Sequence, residues 1–155
     1  MARTWLQIRV DLEGGGGIEC EPPPGRIFIV GPGHSFAQLA EAIDASFGRW
    51  DLSHLHVFEL PDKRQVGFAD VDDPGVLSHD ELKVATELKP GEAFTYVFDL
   101  GDDWRHRCRV LADKLDPTDE YGPGPLPNRP VPIWGWGWIP DQYGRESAEE
   151  LDLEG

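Results

Sequence analysis

Residues 93–115, AFTYVFDLGDDWRHRCRVLADKL, contain the strongest β signal in the chain. Two runs alternate between apolar and polar side chains, and Gly101, Asp102 and Asp103 separate them. Because side chains alternate between the faces of a sheet, this pattern predicts a β-hairpin with one face toward a core. The predicted core face carries Phe94, Tyr96, Phe98, Leu100, Trp104, His106, Cys108 and Val110. The opposite face is predicted to carry Thr95, Val97, Asp99, Arg105, Arg107 and Arg109.

The rest of the pattern predicts an α+β domain. Alternating or β-branched runs predict strands at 5–12, 26–30, 53–60 and around 66–68. Ser35 and Gln38 form a capping box before an amphipathic helix over 35–47, which Gly48 ends, and Ser78 offers a second helix start. We therefore predict one domain over 1–145, with a mixed or mainly antiparallel sheet and one principal helix on one face. A Pro/Trp-rich C-terminal strap is predicted from about 117, and a polar tail over 146–155.

Composition restricts the classes of function. The chain has 155 residues, a net charge of −15 and no apolar run of membrane-spanning length. We expect a cytoplasmic, acidic protein with no membrane partner, whose charge disfavours nucleic acid although a local basic stripe could still bind it. Cys20 and Cys108 are expected to stay reduced.

The segment IWGWGWIPDQYGR at 133–145 holds three of the six tryptophans, with glycine between them. At period two, Trp134, Trp136 and Trp138 would share one face of an extended chain. They could form an exposed stacking surface, rimmed by Asp141, Gln142, Tyr143 and Arg145, for a sugar, a base or a Pro-rich peptide. They could instead be buried as a strap, which is the more common outcome for such a tail. Solvent-facing Gly135 and Gly137 would indicate the strap, and sheet-facing glycines would leave the tryptophans open.

The motifs SHLHVFEL and FTYVFDLGDDWRHRCRVL together resemble the plasmid Orf-3-like family, first named from a Ri-type plasmid and also found as an insertion-element passenger. The resemblance extends over about 5–111 and implies a small α+β domain without an established activity. Many members carry a Pro-Glu-Asp-Cys-Gly-Gly segment near the end, where this chain has Tyr143 in place of the cysteine. The WGWGW run precedes that place, so we expect it to replace the segment and to lie against the GDDW hairpin.

Two sets of polar residues could carry a function. His54 and His56 form a His-x-His pair which, with Asp102, Asp103 and His106, could bind a divalent metal and activate water for a hydrolase or nuclease. The alternative for these residues is structural: packed histidines and turn-shaping aspartates.

The second set is the stripe of Arg105, Arg107 and Arg109. With the tryptophans it could bind single-stranded nucleic acid or a nucleotide, by stacking and charge. The alternative, to which we give more weight, is a solvated sheet face whose arginines pair with carboxylates such as Asp99. We favour a non-enzymatic binding module, related to proteins of mobile elements, whose partner is an unknown protein or small ligand. No cofactor is established, and a divalent metal is the possible one.

Overall fold

The two alternating runs of the central hairpin form the middle of a nine-stranded sheet in the computed structural model of the chain. The structure describes residues 5–68, 75–140 and 142, without the side chains of 120 and 121. The spatial order is β6-β5-β4-β7-β8-β1-β3-β9, with β2 paired to β1. The strands are β1 Leu6–Gly15, β2 Ile18–Glu19, β3 Gly25–Val30, β4 His56–Glu59, β5 Gln65–Gly67, β6 Val76–Ser78, β7 Ala93–Phe98, β8 Trp104–Ala112 and β9 Val131–Trp136. All pairs are antiparallel except β5 with β6, so the predicted α+β class is confirmed.

The principal helix covers one face of this sheet. Helix α1 (Phe36–Ser46) begins with the predicted capping box, in which Ser35 and Gln38 exchange side-chain to backbone hydrogen bonds. Its apolar face packs against the inward-facing side chains of β1, β3, β4, β7 and β8 in one core cluster. The inward residues predicted for the hairpin are buried, except Leu100, which is 54% exposed. We call this side the covered face and the other side of the sheet the open face.

The hairpin loop is longer than predicted, which explains the position of Leu100. Strand β7 ends at Phe98, and residues 99–103 form the turn. Asp99 and Asp103 adopt positive φ angles of 64° and 57°. The Asp99 carboxylate accepts hydrogen bonds from the backbone N–H groups of Gly101 and Asp102. Asp99 therefore stabilises the turn, and it does not lie on the sheet face beside the arginines as predicted.

The prediction of a helix that begins at Ser78 is wrong. Ser78 ends strand β6, which pairs in parallel with β5. Lys83 is extended and forms an isolated bridge with Ser35, so the helix α2 is only Val84–Glu87. Tertiary pairing at both ends of the segment overrides the local capping signal. Helix α3 (Pro117–Tyr121) lies at the start of the predicted strap.

The strap predicted from the tryptophan run forms an edge strand. Strand β9 pairs with β3, so that β1 and β3 lie between β9 and β8 in the sheet. Beyond β9, the Pro140 carbonyl accepts a hydrogen bond from Arg49, whose guanidinium lies 4.3 Å from the Trp104 ring centroid. Arg49 therefore links the strap to the hairpin. The predicted polar tail at 146–155 lies outside the described residues. Within the described part of the chain, no helix is long and apolar enough to cross a membrane.

Candidate functional site

Strand register brings the arginine stripe and the tryptophan run onto the same open face. Arg109 of β8 lies opposite Arg9 of β1, Arg9 lies opposite Ile27 of β3, and Ile27 lies opposite Trp134 of β9. Neighbouring strands are about 4.8 Å apart, so this row extends about 14 Å across the sheet. A second row joins Arg107, Asp11, Gly25 and Trp136. The two rows place flat aromatic rings at one end and guanidinium groups at the other.

Arg9 connects the aromatic and basic parts of this surface. Its guanidinium donates to both carboxylate oxygens of Asp11, at 2.9 and 3.2 Å, and lies 4.7 Å from the centroid of the Trp136 ring. A paired arginine held against a tryptophan by cation–π attraction is fixed in position. Gly25 has no side chain where the Trp136 ring lies, since a Cβ at this position would overlap the ring. Trp136 is therefore seated against the sheet.

The two glycines of the WGWGW segment face the protein. A Cβ on Gly135 would meet the Arg26 side chain, and a Cβ on Gly137 would lie 2.6 Å from the Pro24 Cα. Trp134 and Trp138 are correspondingly 68% and 77% exposed. The prediction that the three indoles are buried is wrong for Trp134 and Trp138. The side of the segment that carries the glycines packs against the protein, so these two rings face solvent.

The cations of the stripe differ in how far they are neutralised. Arg105 forms ion pairs with Asp103 at 2.6 Å and with Glu13 at 3.4 Å. Arg109 donates to the Gly91 carbonyl at 3.3 Å. Arg107 is exposed and has neither a hydrogen bond nor an ion pair with any described residue. The pairing of arginines with carboxylates is therefore confirmed for Arg105 and absent, among the described residues, for Arg107 and Arg109.

An open depression of about 450 Å³ lies along β9 at the edge of the sheet, and Trp134 is one of its lining residues. Its walls also include Arg26, Pro132, Gly135, Trp136 and Gly137. Arg26 donates to the carbonyls of Gly25 and Trp136 at 2.7 and 3.0 Å, which fixes it at the edge of the sheet.

The predicted rim of the tryptophan run is described only at Gln142, which is buried. Its side chain accepts from the N–H groups of Trp50 and Asp51 and donates to the Asp51 carbonyl. It therefore anchors the chain. Asp141, Tyr143 and Arg145 lie outside the described residues.

The structure divides the five residues of the predicted metal site among separate contacts. His54 lies 3.6 Å from carboxylate oxygens of both Asp51 and Asp99. His56 forms a 2.8 Å hydrogen bond with His79, a residue that the sequence did not single out. His106 is fully buried, with Nδ1 3.0 Å from the Tyr96 carbonyl. Asp103 pairs with Arg105, and Asp102 lies in the hairpin turn.

No three His, Cys, Asp or Glu side chains in the described part of the chain come together in a way that could hold a metal ion. A metal in this protein stays a prediction from the sequence. Cys20 and Cys108 are both free thiols, as expected.

The covered face holds a buried polar group that the sequence did not reveal. The Tyr96 hydroxyl donates to both oxygens of the Asp44 carboxyl, at 2.8 and 2.9 Å. Burial raises the pKa of Asp44 to about 7, against the lowering effects of the Tyr96 hydrogen bond and the charge of Arg49. Burial lowers the pKa of His106 to about 4, and it also lowers that of His56 to about 4. The only sequence signal for Asp44 was a carboxyl on the apolar side of a helix.

The buried polar group of Asp44, Tyr96 and His106 does not line any of the surface depressions found in the described part of the chain. These depressions lie at Trp134, at Trp138, between α1 and β9, and beside Trp5. The side chains of Tyr96 and His106 are 0% exposed, and that of Asp44 is 5% exposed. We therefore place the candidate site on the open face, where rings and cations reach solvent.

Comparisons with known proteins show a similar fold in one solved structure and a match to one family model. A similar solved structure is the crystal structure of a protein of unknown function, MM3350, from Methanosarcina mazei Go1, with a TM-score of 0.69 and 21% identity. The similarity covers 99% of this chain and 82% of the other. No curated protein matches the sequence. The family model described as plasmid pRiA4b ORF-3-like protein matches residues 4–124, and the chain belongs to that family.

Proposed function

We propose that the protein is a non-enzymatic binding module that holds single-stranded nucleic acid, or the nucleotide unit of it, on the open face. One observation carries the proposal: strand register places the exposed ring of Trp134 in a row with Arg9 and Arg109, beside Arg107. The cations Arg107 and Arg109, which form no ion pair with a described residue, lie about 14 Å across the same face from the tryptophans. This spacing suits a stacked base and the phosphates of neighbouring nucleotides in a single strand. A relation to mobile elements rests only on the resemblance to their proteins.

The charge of the whole chain limits the strength of this binding. The net charge is −15, and its field repels a polyanion. The available cations on the open face are Arg107 and Arg109, so we expect contacts to about two phosphates and an affinity in the micromolar range. For single strands, two such contacts give a slope of log K against log salt of about −1.4.

The test is a fluorescence titration with a dodecathymidine oligonucleotide at low and moderate salt. We expect quenching of tryptophan emission and a loss of about tenfold or more in affinity for Trp134→Ala, since base stacking contributes about 1–3 kcal/mol. Arg107→Gln with Arg109→Gln should weaken binding and reduce the salt slope. Arg129→Gln, which removes an exposed arginine elsewhere, is the matched control and should bind like the unmodified protein.

Three further ligands separate the possible sources of binding. Thymidine monophosphate tests whether one nucleotide is enough, and oligoglutamate tests charge without a ring. Equal binding of oligoglutamate and oligonucleotide, or unchanged binding by Trp134→Ala, would contradict the proposal. An absence of quenching at low salt would also contradict the proposal. Duplex DNA should bind more weakly, because its bases are not available for stacking.

A further inference from the structure

Large apolar side chains are exposed together at the end of the sheet formed by the hairpin loops. They belong to the β1–β2 hairpin, the loop before β4, the hairpin loop 99–103 and the segment after β9. We call them the apolar end: Ile18, Leu52, Leu55, Leu100 and Trp138. Each is between 42% and 77% exposed. These five make up half of the ten large exposed hydrophobic residues in the described part of the chain. Such a concentration indicates an interaction surface, whereas scattered single residues would not.

Backbone hydrogen bonds hold these loops together. The Asp99 N–H donates to the Leu55 carbonyl at 2.8 Å, which places Leu55 beside the loop that carries Leu100. The Gly16 N–H donates to the Asp102 carbonyl at 2.7 Å, which joins the β1–β2 turn to the same loop. These bonds, and the depression that Ile18 and Trp138 share, place the segments of the apolar end beside one another.

A cavity lies within this surface. Ile18 and Trp138 line a depression of about 220 Å³ together with Cys20 and Pro22. This volume corresponds to one large apolar side chain of a partner. The contact of Gly137 with Pro24 fixes the backbone immediately before Trp138. A partner side chain that enters the depression would have Trp138 as one wall.

Carboxylates surround the apolar end. Glu19 and Glu21 line the same depression, and Asp102 and Asp103 follow Leu100 in the hairpin loop. Arg105 pairs with Asp103 and neutralises one of these charges. The surrounding charge is negative on balance, in a chain whose net charge is −15. A second copy of the chain, or an anionic lipid surface, would bring like charges together.

We propose that the apolar end is a docking site for a partner protein segment that presents large apolar side chains flanked by lysine or arginine. The apolar side chains would cover Leu55 and Leu100 and enter the depression beside Trp138. The cations would face Glu19, Glu21 and Asp102. This inference is independent of the nucleic-acid proposal, because it uses a different part of the surface and the opposite charge.

The test uses the full chain and a fluorescein-labelled peptide of leucine and lysine, with leucine at helical spacing. We expect binding by fluorescence anisotropy, weakened by salt. Leu55→Ser with Leu100→Ser should lower the affinity by about tenfold or more, since central apolar contacts carry most of an interface's energy. Glu19→Gln with Asp102→Asn should lower it by about threefold, chiefly through slower association. All changed side chains are exposed or half-exposed, and circular dichroism would confirm folding.

The controls distinguish this site from general attraction between opposite charges. Leu126→Ser removes a leucine that is 53% exposed beside α3, and it should bind the peptide like the unmodified protein. A peptide of the same composition in scrambled order should bind more weakly. Equal binding of the two peptides would overturn the proposal, as would unchanged binding by the double leucine variant. A dimer in solution that the double leucine variant abolishes would also overturn it, in favour of a second copy as the occupant.

Discussion

On strand β8, Trp104, His106, Cys108 and Val110 lie under α1 and are at most 1% exposed, whereas Arg105, Arg107 and Arg109 lie on the open face. Burial on the covered face raises the pKa of Asp44 and lowers that of His106. The arginines on the open face are exposed to solvent. The comparison teaches that packing causes the shifted pKa values of Asp44 and His106, and that the side chains open to solvent lie on the other face.

The largest expected effect compares one tryptophan from each face. Trp104→Ala should lower the free energy of unfolding by about 3–5 kcal/mol, because Trp104 is buried and carries Arg49 on its ring. Trp134→Ala should change it by less than about 0.5 kcal/mol, because that ring is mostly exposed. Urea denaturation of both variants measures the difference. Similar losses of unfolding free energy in the two variants would contradict this prediction, because they would show that the Trp134 ring packs as tightly as the Trp104 ring.

The second prediction concerns the buried carboxyl of the covered face. The pKa of Asp44 is raised to about 7, so the folded state binds a proton that the unfolded state has released. This contribution to stability is complete below the unfolded pKa and is lost as the pH rises through about 7. Asp44→Asn should therefore become more stable relative to the unmodified protein by about 2–4 kcal/mol between pH 5 and pH 8. Urea denaturation across this range measures the change, and Glu81→Gln, an exposed carboxylate that does not act on the pKa of Asp44, is the control.

The third prediction concerns the histidines on the same face. Burial lowers the pKa of His106 to about 4, so its contribution to stability is present above the unfolded value near 6.5 and is lost as the pH falls toward 4. His106→Phe should reduce the loss of stability over this range by about 1–3 kcal/mol. His54→Gln, at a less buried histidine, is the comparison, and an equal reduction in that variant would contradict the assignment. Thermal unfolding at several pH values checks both.

The smallest expected effect is on the open face. Arg107→Ala should change the free energy of unfolding by less than about 0.5 kcal/mol, because Arg107 has no ion pair with a described residue. Arg9→Ala should cost more, because it leaves Asp11 without its bidentate partner and Trp136 without its cation. A loss at Arg107 as large as that at Arg9 would show that the stripe is structural.

The sequence predicted some parts of the fold well for physical reasons. The capping box at Ser35 and Gln38 is a local signal, and α1 forms there. In β7 and β8, apolar and polar residues alternate in step with buried and exposed positions, so the sequence predicted which residues lie on each face of the hairpin. The helix prediction at Ser78 failed for the opposite reason. Ser78 pairs with Gly67 in the sheet, and a capping pattern of neighbouring residues contains no information on that pairing.

The candidate site was only partly predictable. The arginine stripe and the tryptophan run were visible as separate patterns, while Arg9 and Asp11 were overlooked as the polar side of an ordinary strand. Their meeting depends on the order β8-β1-β3-β9, which brings residues 9, 27, 109 and 134 into one row. The five residues of the predicted metal site were grouped by the His-x-His spacing and by nearness to the hairpin turn, and the fold gives them different neighbours.

By itself the sequence determined the α+β class, the hairpin with its two faces, the capped helix and the family, because alternation, capping and motifs are properties of neighbouring residues. Tertiary structure alone decided that Trp134 is exposed, that Tyr96 holds Asp44, and that four loops join into the apolar end. The glycines at 135 and 137 show the reason. Their spacing allowed either face to be buried, and only the positions of Arg26 and Pro24 determine which side approaches the protein. Strand order and register depend on the packing of the whole chain.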